Sequence, residues 1–205
     1  MKRLGLFFIA LVLTAGCASA PPPVHYYLLR GDLVEAQGPI DVQVRIGLGR
    51  VVLAPYLTGD TGIRIEMESG ELQSANTYQW AEPLDTALHW YLREEIASQL
   101  GHEIGGGMTD VQDWDYRVDL FVARMHGTMD GRAVLDASFI VRPVKGSGTW
   151  GEYRFAKSIP LAQEGYVGVV EAQHQLTGEL GAMIAGAIQE RIDADDAEAE
   201  SGAGS

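Results

Sequence analysis

Residues 116–160 read YRVDLFVARMHGTMDGRAVLDASFIVRPVKGSGTWGEYRFAKSIP, and their period decides the fold. Tyr116, Val118, Leu120 and Val122 alternate with Arg117 and Asp119. A period of two puts the apolar set on one face of a strand and the polar set on the other. Asp130-Gly131 follows as a hairpin signal, because glycine takes a positive φ without steric penalty. Ala133, Leu135, Ala137, Phe139 and Val141 then alternate with Asp136, Ser138 and Arg142. Gly146-Ser147-Gly148 makes a second turn, and Tyr153 and Phe155 continue a third strand that ends near Pro160. Three strands joined by short turns predict an antiparallel meander.

Outward from the meander the period changes to that of helices. Leu84, Leu88, Tyr91, Leu92, Ile96 and Leu100 recur at steps of three and four, with Pro83 at the first helical position, Asp85 in the first turn and Gly101 as the stop. On the other side, Val169, Leu176, Leu180, Met183, Ile184, Ala187 and Ile188 give the buried stripe of a helix from about Tyr166 to Ile192. Gly165, Gly168, Gly178, Gly181 and Gly186 weaken its propensity, so packing must hold it. Earlier in the chain, strands are predicted at 25–29, at Val42, Val44 and Ile46, at Val51-Val52-Leu53, and at Ile63, Ile65 and Met67. This order predicts an α+β domain over 25–192: a mixed or mostly antiparallel sheet with two helices packed on one face.

The chain has 205 residues, 46% hydrophobic and 21% charged, an ordinary globular composition and one domain's length. Fifteen Lys and Arg stand against 28 Asp and Glu, a net charge of -13. That balance argues against nucleic acid, which needs clustered cations to neutralise phosphate. Residues 193–205, DADDAEAESGAGS, carry five acids and no hydrophobe larger than alanine, and are read as an acidic disordered tail.

The N-terminus carries an address. Lys2 and Arg3 precede an apolar run from Leu4 to Leu13, too short to span a membrane, and small residues lead to Cys17. Residues 1–16 therefore read as a signal peptide. Leu13-Thr14-Ala15-Gly16-Cys17 is similar to a bacterial lipobox, which implies lipidation of Cys17. Loss of Lys2 and Arg3 with the signal takes the formal charge from -13 to -15. Cys17 is the one cysteine of the chain, so no intrachain disulfide forms. Residues 17–24, with Pro21, Pro22 and Pro23, form a short stiff tether, since polyproline is extended.

Four segments together resemble one family: the signal with Cys17, Tyr26-Tyr27-Leu28-Leu29, Pro55-Tyr56-Leu57 before a strand, and Trp80-Ala81-Glu82-Pro83-Leu84 opening a helix. The resemblance is to the ABC-type transport auxiliary lipoproteins and covers essentially 17–192. It implies a non-enzymatic accessory anchored through its N-terminal lipid at the periplasmic face of the outer membrane. The partners it implies are an ABC permease and a mammalian-cell-entry (MCE) protein, in systems that move phospholipid or other hydrophobic compounds between membranes. A homo-oligomer matched to a symmetric MCE ring fits the same picture.

Catalytic and metal motifs are missing from the sequence. No Gly-x-Ser-x-Gly elbow occurs, and His102-Glu103 lacks a second His four residues on. His25, His89, His102, His126 and His174 are scattered singly, and no cofactor is implied. Pro55, Tyr56, Leu57 and Trp80 are candidate partner-binding residues, because tyrosine and tryptophan are enriched in interface hot spots. Each also has a structural reading: proline presets a turn and the rings pack. Two other functions share parts of this pattern. An outer-membrane assembly lipoprotein that partners a β-barrel has the same anchor, and a periplasmic hydrolase would need a nucleophile or metal set that the sequence does not display.

Overall fold

Strand β5 (Tyr116–Thr128) organises the sheet, because three other strands pair with it. The computed structural model describes residues 20–31, 44–101, 104–105, 114–145 and 150–203. In chain order these form β1 (His25–Tyr27), β2 (Ile46–Leu53), a single 3-10 turn (Pro55–Leu57), β3 (Gly62–Glu66), β4 (Leu72–Trp80) and α1 (Leu84–Leu100). After β5 come β6 (Arg132–Pro143), β7 (Gly151–Pro160) and α2 (Gly165–Ala203). Along one edge of β5 runs β6, then β7, all antiparallel, as the alternation predicts. Gly131 closes the β5–β6 turn at φ 77°, and its N–H donates to the Thr128 carbonyl.

The other edge of β5 is shared. β2 pairs parallel with its first half, Ile46 to Leu53 against Tyr116 to Val122. β3 pairs parallel with its far end, Ile65 and Glu66 against Gly127 and Thr128. β4 continues antiparallel on β3, and β1 parallel on β4. The result is a mixed seven-stranded sheet with two helices, the α+β class read from the sequence.

One sheet face is covered. Val118, Leu120, Val122, Leu135, Ala137, Phe139 and Val141 are buried beneath the helices. α2 packs on β5, β6 and β7, and α1 packs on α2 and β2. Gln173 of α2 donates to the backbone carbonyls of His126 and Val134, and Lys157 of β7 pairs with Glu179. Gly181 has a steric reason: a Cβ there would lie 2.4 Å from the Glu95 side chain of α1. No helix among the described residues is long and apolar enough to cross a membrane.

Four local expectations need correction. The strand expected at 25–29 stops at Tyr27, leaving Leu28 and Leu29 outside it. The strands expected at 42–46 and 51–53 are one strand from Ile46, with an irregularity between Leu48 and Val51 where Gly49 and Arg50 interrupt the register; residues 42 and 43 lie outside the described part. Pro83 is the N-cap of α1 rather than its first residue. Residues 193–203 of the expected disordered tail continue α2 as helix. Alanine and glutamate are good helix formers, and the Tyr116 hydroxyl donates to the Asp195 carboxylate, tying this segment to β5. Burial and that bond together raise the Tyr116 pKa.

Candidate functional site

The Pro-Tyr-Leu turn lies where β2 leaves β5 and β3 has not yet joined it. Ala54 N–H donates to the Val122 carbonyl, the last rung of that pairing. Proline presets the backbone for a turn, and the chain folds back through Leu57 N–H to the Ala54 carbonyl. The Thr58 hydroxyl closes the turn on the Pro55 carbonyl at 2.7 Å. Leu57 points into the core, Pro55 is exposed, and Tyr56 is half-buried.

The Tyr56 hydroxyl reaches the uncovered stretch of β5. It accepts the Met125 backbone N–H at 3.1 Å and meets His126 Nδ1 at 2.9 Å. His126 Nε2 meets the Glu66 carboxylate at 3.0 Å. A carboxylate only accepts, so Nε2–H donates to Glu66, and the neutral ring's Nδ1 accepts the phenol proton while the phenol oxygen accepts from Met125. Burial raises the Tyr56 pKa, against the lowering effect of the Met125 bond, which keeps the phenol a donor. The chain Tyr56–His126–Glu66 thus joins the turn, β5 and β3.

His126 has its pKa lowered, chiefly by burial, while Glu66 pulls it up and Arg124 adds to the lowering. A histidine held neutral in the fold and titrating near about 6.5 when unfolded contributes stability above about pH 6.5. That contribution is lost as pH falls through the lowered folded value. Protonation also removes Nδ1 as the acceptor of Tyr56. Between pH 7 and pH 5 the wild type is therefore expected to lose more unfolding free energy than His126→Gln in matched urea titrations. Equal losses would refute the assignment.

On the sheet face away from the helices, arginines clamp carboxylates. Arg154 and Arg124 both bond Asp136 and hold its carboxyl below the usual range. Arg117 and Arg142 both bond Asp119, and Arg50 N–H donates to Asp119 as well. Beside these clamps Phe121 and Val52 are 42% and 41% exposed.

The residues singled out in the sequence separate accordingly. Tyr56 and Leu57 share one turn, and Leu57 is buried in the monomer. Trp80 is also buried, at the end of β4, where its backbone N–H donates to Thr61. Cys17 and the signal peptide lie outside the described residues. Among the described residues no three His, Cys, Asp or Glu side chains are placed to hold a metal. The sequence reading missed the roles of His126 and Glu66. They lie 70 and 10 residues from Tyr56 with no motif joining them, so no local signal could have paired them.

A family model for the ABC-type transport auxiliary lipoprotein component matches residues 27–185. No curated protein matches the chain. Among solved structures, an uncharacterised protein superposes with a TM-score of 0.66 at 22% identity, covering 80% of this chain and 97% of that one. A Xanthomonas campestris protein of the DUF330 family superposes with a TM-score of 0.63 at 15% identity, covering 84% of this chain and 99% of that one. At these identities the likeness is one of fold.

Proposed function

The chain belongs to the family of ABC-type transport auxiliary lipoprotein components, and from that membership we propose that it is an accessory of an ABC/MCE intermembrane lipid-transport system. It is anchored through Cys17 to the outer membrane, faces the periplasm and docks to the MCE-domain protein. The observation that carries this reading is the family match over 27–185, preceded by a lipobox-like Cys17. A lipid anchor suits an accessory of this kind: each buried methylene contributes roughly 0.8 kcal/mol, so several acyl chains hold where one only binds reversibly.

The protein performs no chemistry of its own on this reading. The His126 ring is occupied on both nitrogens, and the Tyr56 phenol is held protonated by burial rather than activated. Neither offers a free nucleophile or base. Pro55 and the rim of Tyr56 are proposed as partner-contacting, while Leu57 and Trp80 hold the turn and the start of α1 from within.

The test is a pull-down from gently solubilised envelopes, with partners identified by mass spectrometry and Cys17→Ser as the unanchored control. The expected result is recovery of an MCE-domain protein and its permease. Cys17→Ser should move from the membrane pellet to the soluble fraction and lose most of that recovery. A β-barrel recovered instead would replace the MCE system with outer-membrane assembly. Recovery of neither would remove the transport assignment for this chain.

A further inference from the structure

The charge of this chain is unevenly placed. Formally at -13, it still gathers Arg50, Arg117, Arg124, Arg142 and Arg154 on or beside the uncovered sheet face. Against them stand Asp119, Asp136 and Glu152. Each aspartate is shared by two guanidiniums, so among the described residues each clamp sets two positive charges against one negative. The side chains of Arg154, Arg124 and Arg142 are 68%, 54% and 49% exposed, which leaves their forks open to a further carboxylate. Between them an open groove of about 400 Å³ is lined by Val52, Phe121 and Ile140.

The opposite charge sits at the end of α2. Five acids fall within residues 193–200, and the last turn has no basic residue. Carboxylates at a helix C-terminus oppose the macrodipole, so this end favours cations. Asp195 is held by Tyr116 at the first residue of β5. Beyond it α2 runs eight residues further, to Ala203, about 12 Å at the usual rise per residue. Asp196, Glu198 and Glu200 are exposed there. Asp196 and Glu200 lie one turn apart on the same side, about 6 Å. That spacing is close to the separation of cross-strand neighbours, about 5 Å, and Arg117 and Arg142 are such neighbours.

We propose that the open sheet face of one copy receives the acidic C-terminal turns of α2 from a second copy. The two surfaces differ, so the contact is head-to-tail, and each copy can both give and receive. Addition by such a contact gives a ring where the rotation per copy closes and a filament where it does not. The proposal does not depend on the transport assignment.

The test uses the full-length lipoprotein in mild detergent, with mass measured by sedimentation. Arg142→Glu/Arg154→Glu reverses the face while leaving each aspartate one guanidinium. A stop codon at position 196 removes Asp196, Glu198 and Glu200 but keeps Asp195. Circular dichroism checks that both variants fold. The wild type is expected to form assemblies larger than a dimer, about tenfold weaker in high salt than in low salt because exposed ion pairs are screened. Each variant alone is expected to be monomeric. Mixed together they are expected to form a one-to-one heterodimer and nothing larger, because one supplies an intact helix end and the other an intact face. A wild type that stays monomeric at every concentration overturns the proposal, as does a mixture that stays monomeric. Unchanged self-association in the face variant, with lost binding to phosphatidylglycerol vesicles, overturns it in favour of an anionic lipid surface.

Discussion

Gly47→Val is expected to lower the unfolding free energy by about 3 kcal/mol, the range of overpacking and displaced core aromatics. A Cβ at position 47 would lie 1.9 Å from the Trp114 ring. That ring is buried and also closes on Gly105, which pairs with Gly47 through an isolated parallel bridge. Two glycines from separated parts of the chain therefore form the floor on which an indole rests. Valine is favoured in strands, so propensity alone would make the change neutral or stabilising. The predicted loss is thus steric, and urea denaturation measures it. Pairing Gly47→Val with Trp114→Ala should give a combined loss well below the sum, since the second change removes what the first collides with. Gly186→Ala supplies the contrast: its Cβ meets nothing, and on an exposed helix position the change is expected to add up to about 1 kcal/mol. A loss below 1 kcal/mol for Gly47→Val would mean that the indole moves aside freely.

How much of this was legible in the sequence depends on what stabilises each element. β5 and β6 announce themselves because one face is buried, and burial writes a period of two into the chain. α1 is equally plain, since Pro83 and Gly101 mark its ends and Gly101 takes φ 74° to accept the stop. β4 is a different case. Its sequence, LQSANTYQW, buries only Ala75 and Trp80, so its place depends on hydrogen bonds to β3 and β1, which leave no apolar period. The helix past Ile192 was hidden by its charge. Acids without hydrophobes suggest a solvated tail, while the tie from Tyr116 to Asp195 spans 79 residues and has no local signature.

The same contrast holds at the candidate site. Proline, tyrosine and leucine in a row predict a turn with a ring that packs, and that much was readable. The gap on β5 was not, because it arises only when β2 and β3 take successive parts of one edge. A surface tyrosine in the sequence thereby becomes a substitute for strand pairing in the fold. The arginine clamps were likewise invisible, since Arg124, Asp136 and Arg154 sit on three different strands.

Tyr56→Phe keeps the ring and removes only the hydroxyl, so its effect reads the polar contacts alone. The Met125 N–H would lose its acceptor in a buried position, and His126 Nδ1 would lose its donor. An unmet buried donor costs about 1–3 kcal/mol, so a loss of about 2 kcal/mol is expected in urea titrations. Glu66→Gln should cost less. The Glu66 side chain is 42% exposed, and the amide oxygen can still accept from Nε2. The ordering is the sharp part: if β5 is completed by the turn, the larger loss follows the hydroxyl and not the carboxylate. Hydrogen exchange gives the local readout, since the Met125 amide should lose protection in Tyr56→Phe while amides of the β6–β7 ladder keep theirs. A phenylalanine variant as stable as wild type, with Met125 still protected, would mean that water replaces the hydroxyl. The Pro-Tyr-Leu turn would then hold the edge of β5 by packing alone, and Tyr56 would be free to serve a partner.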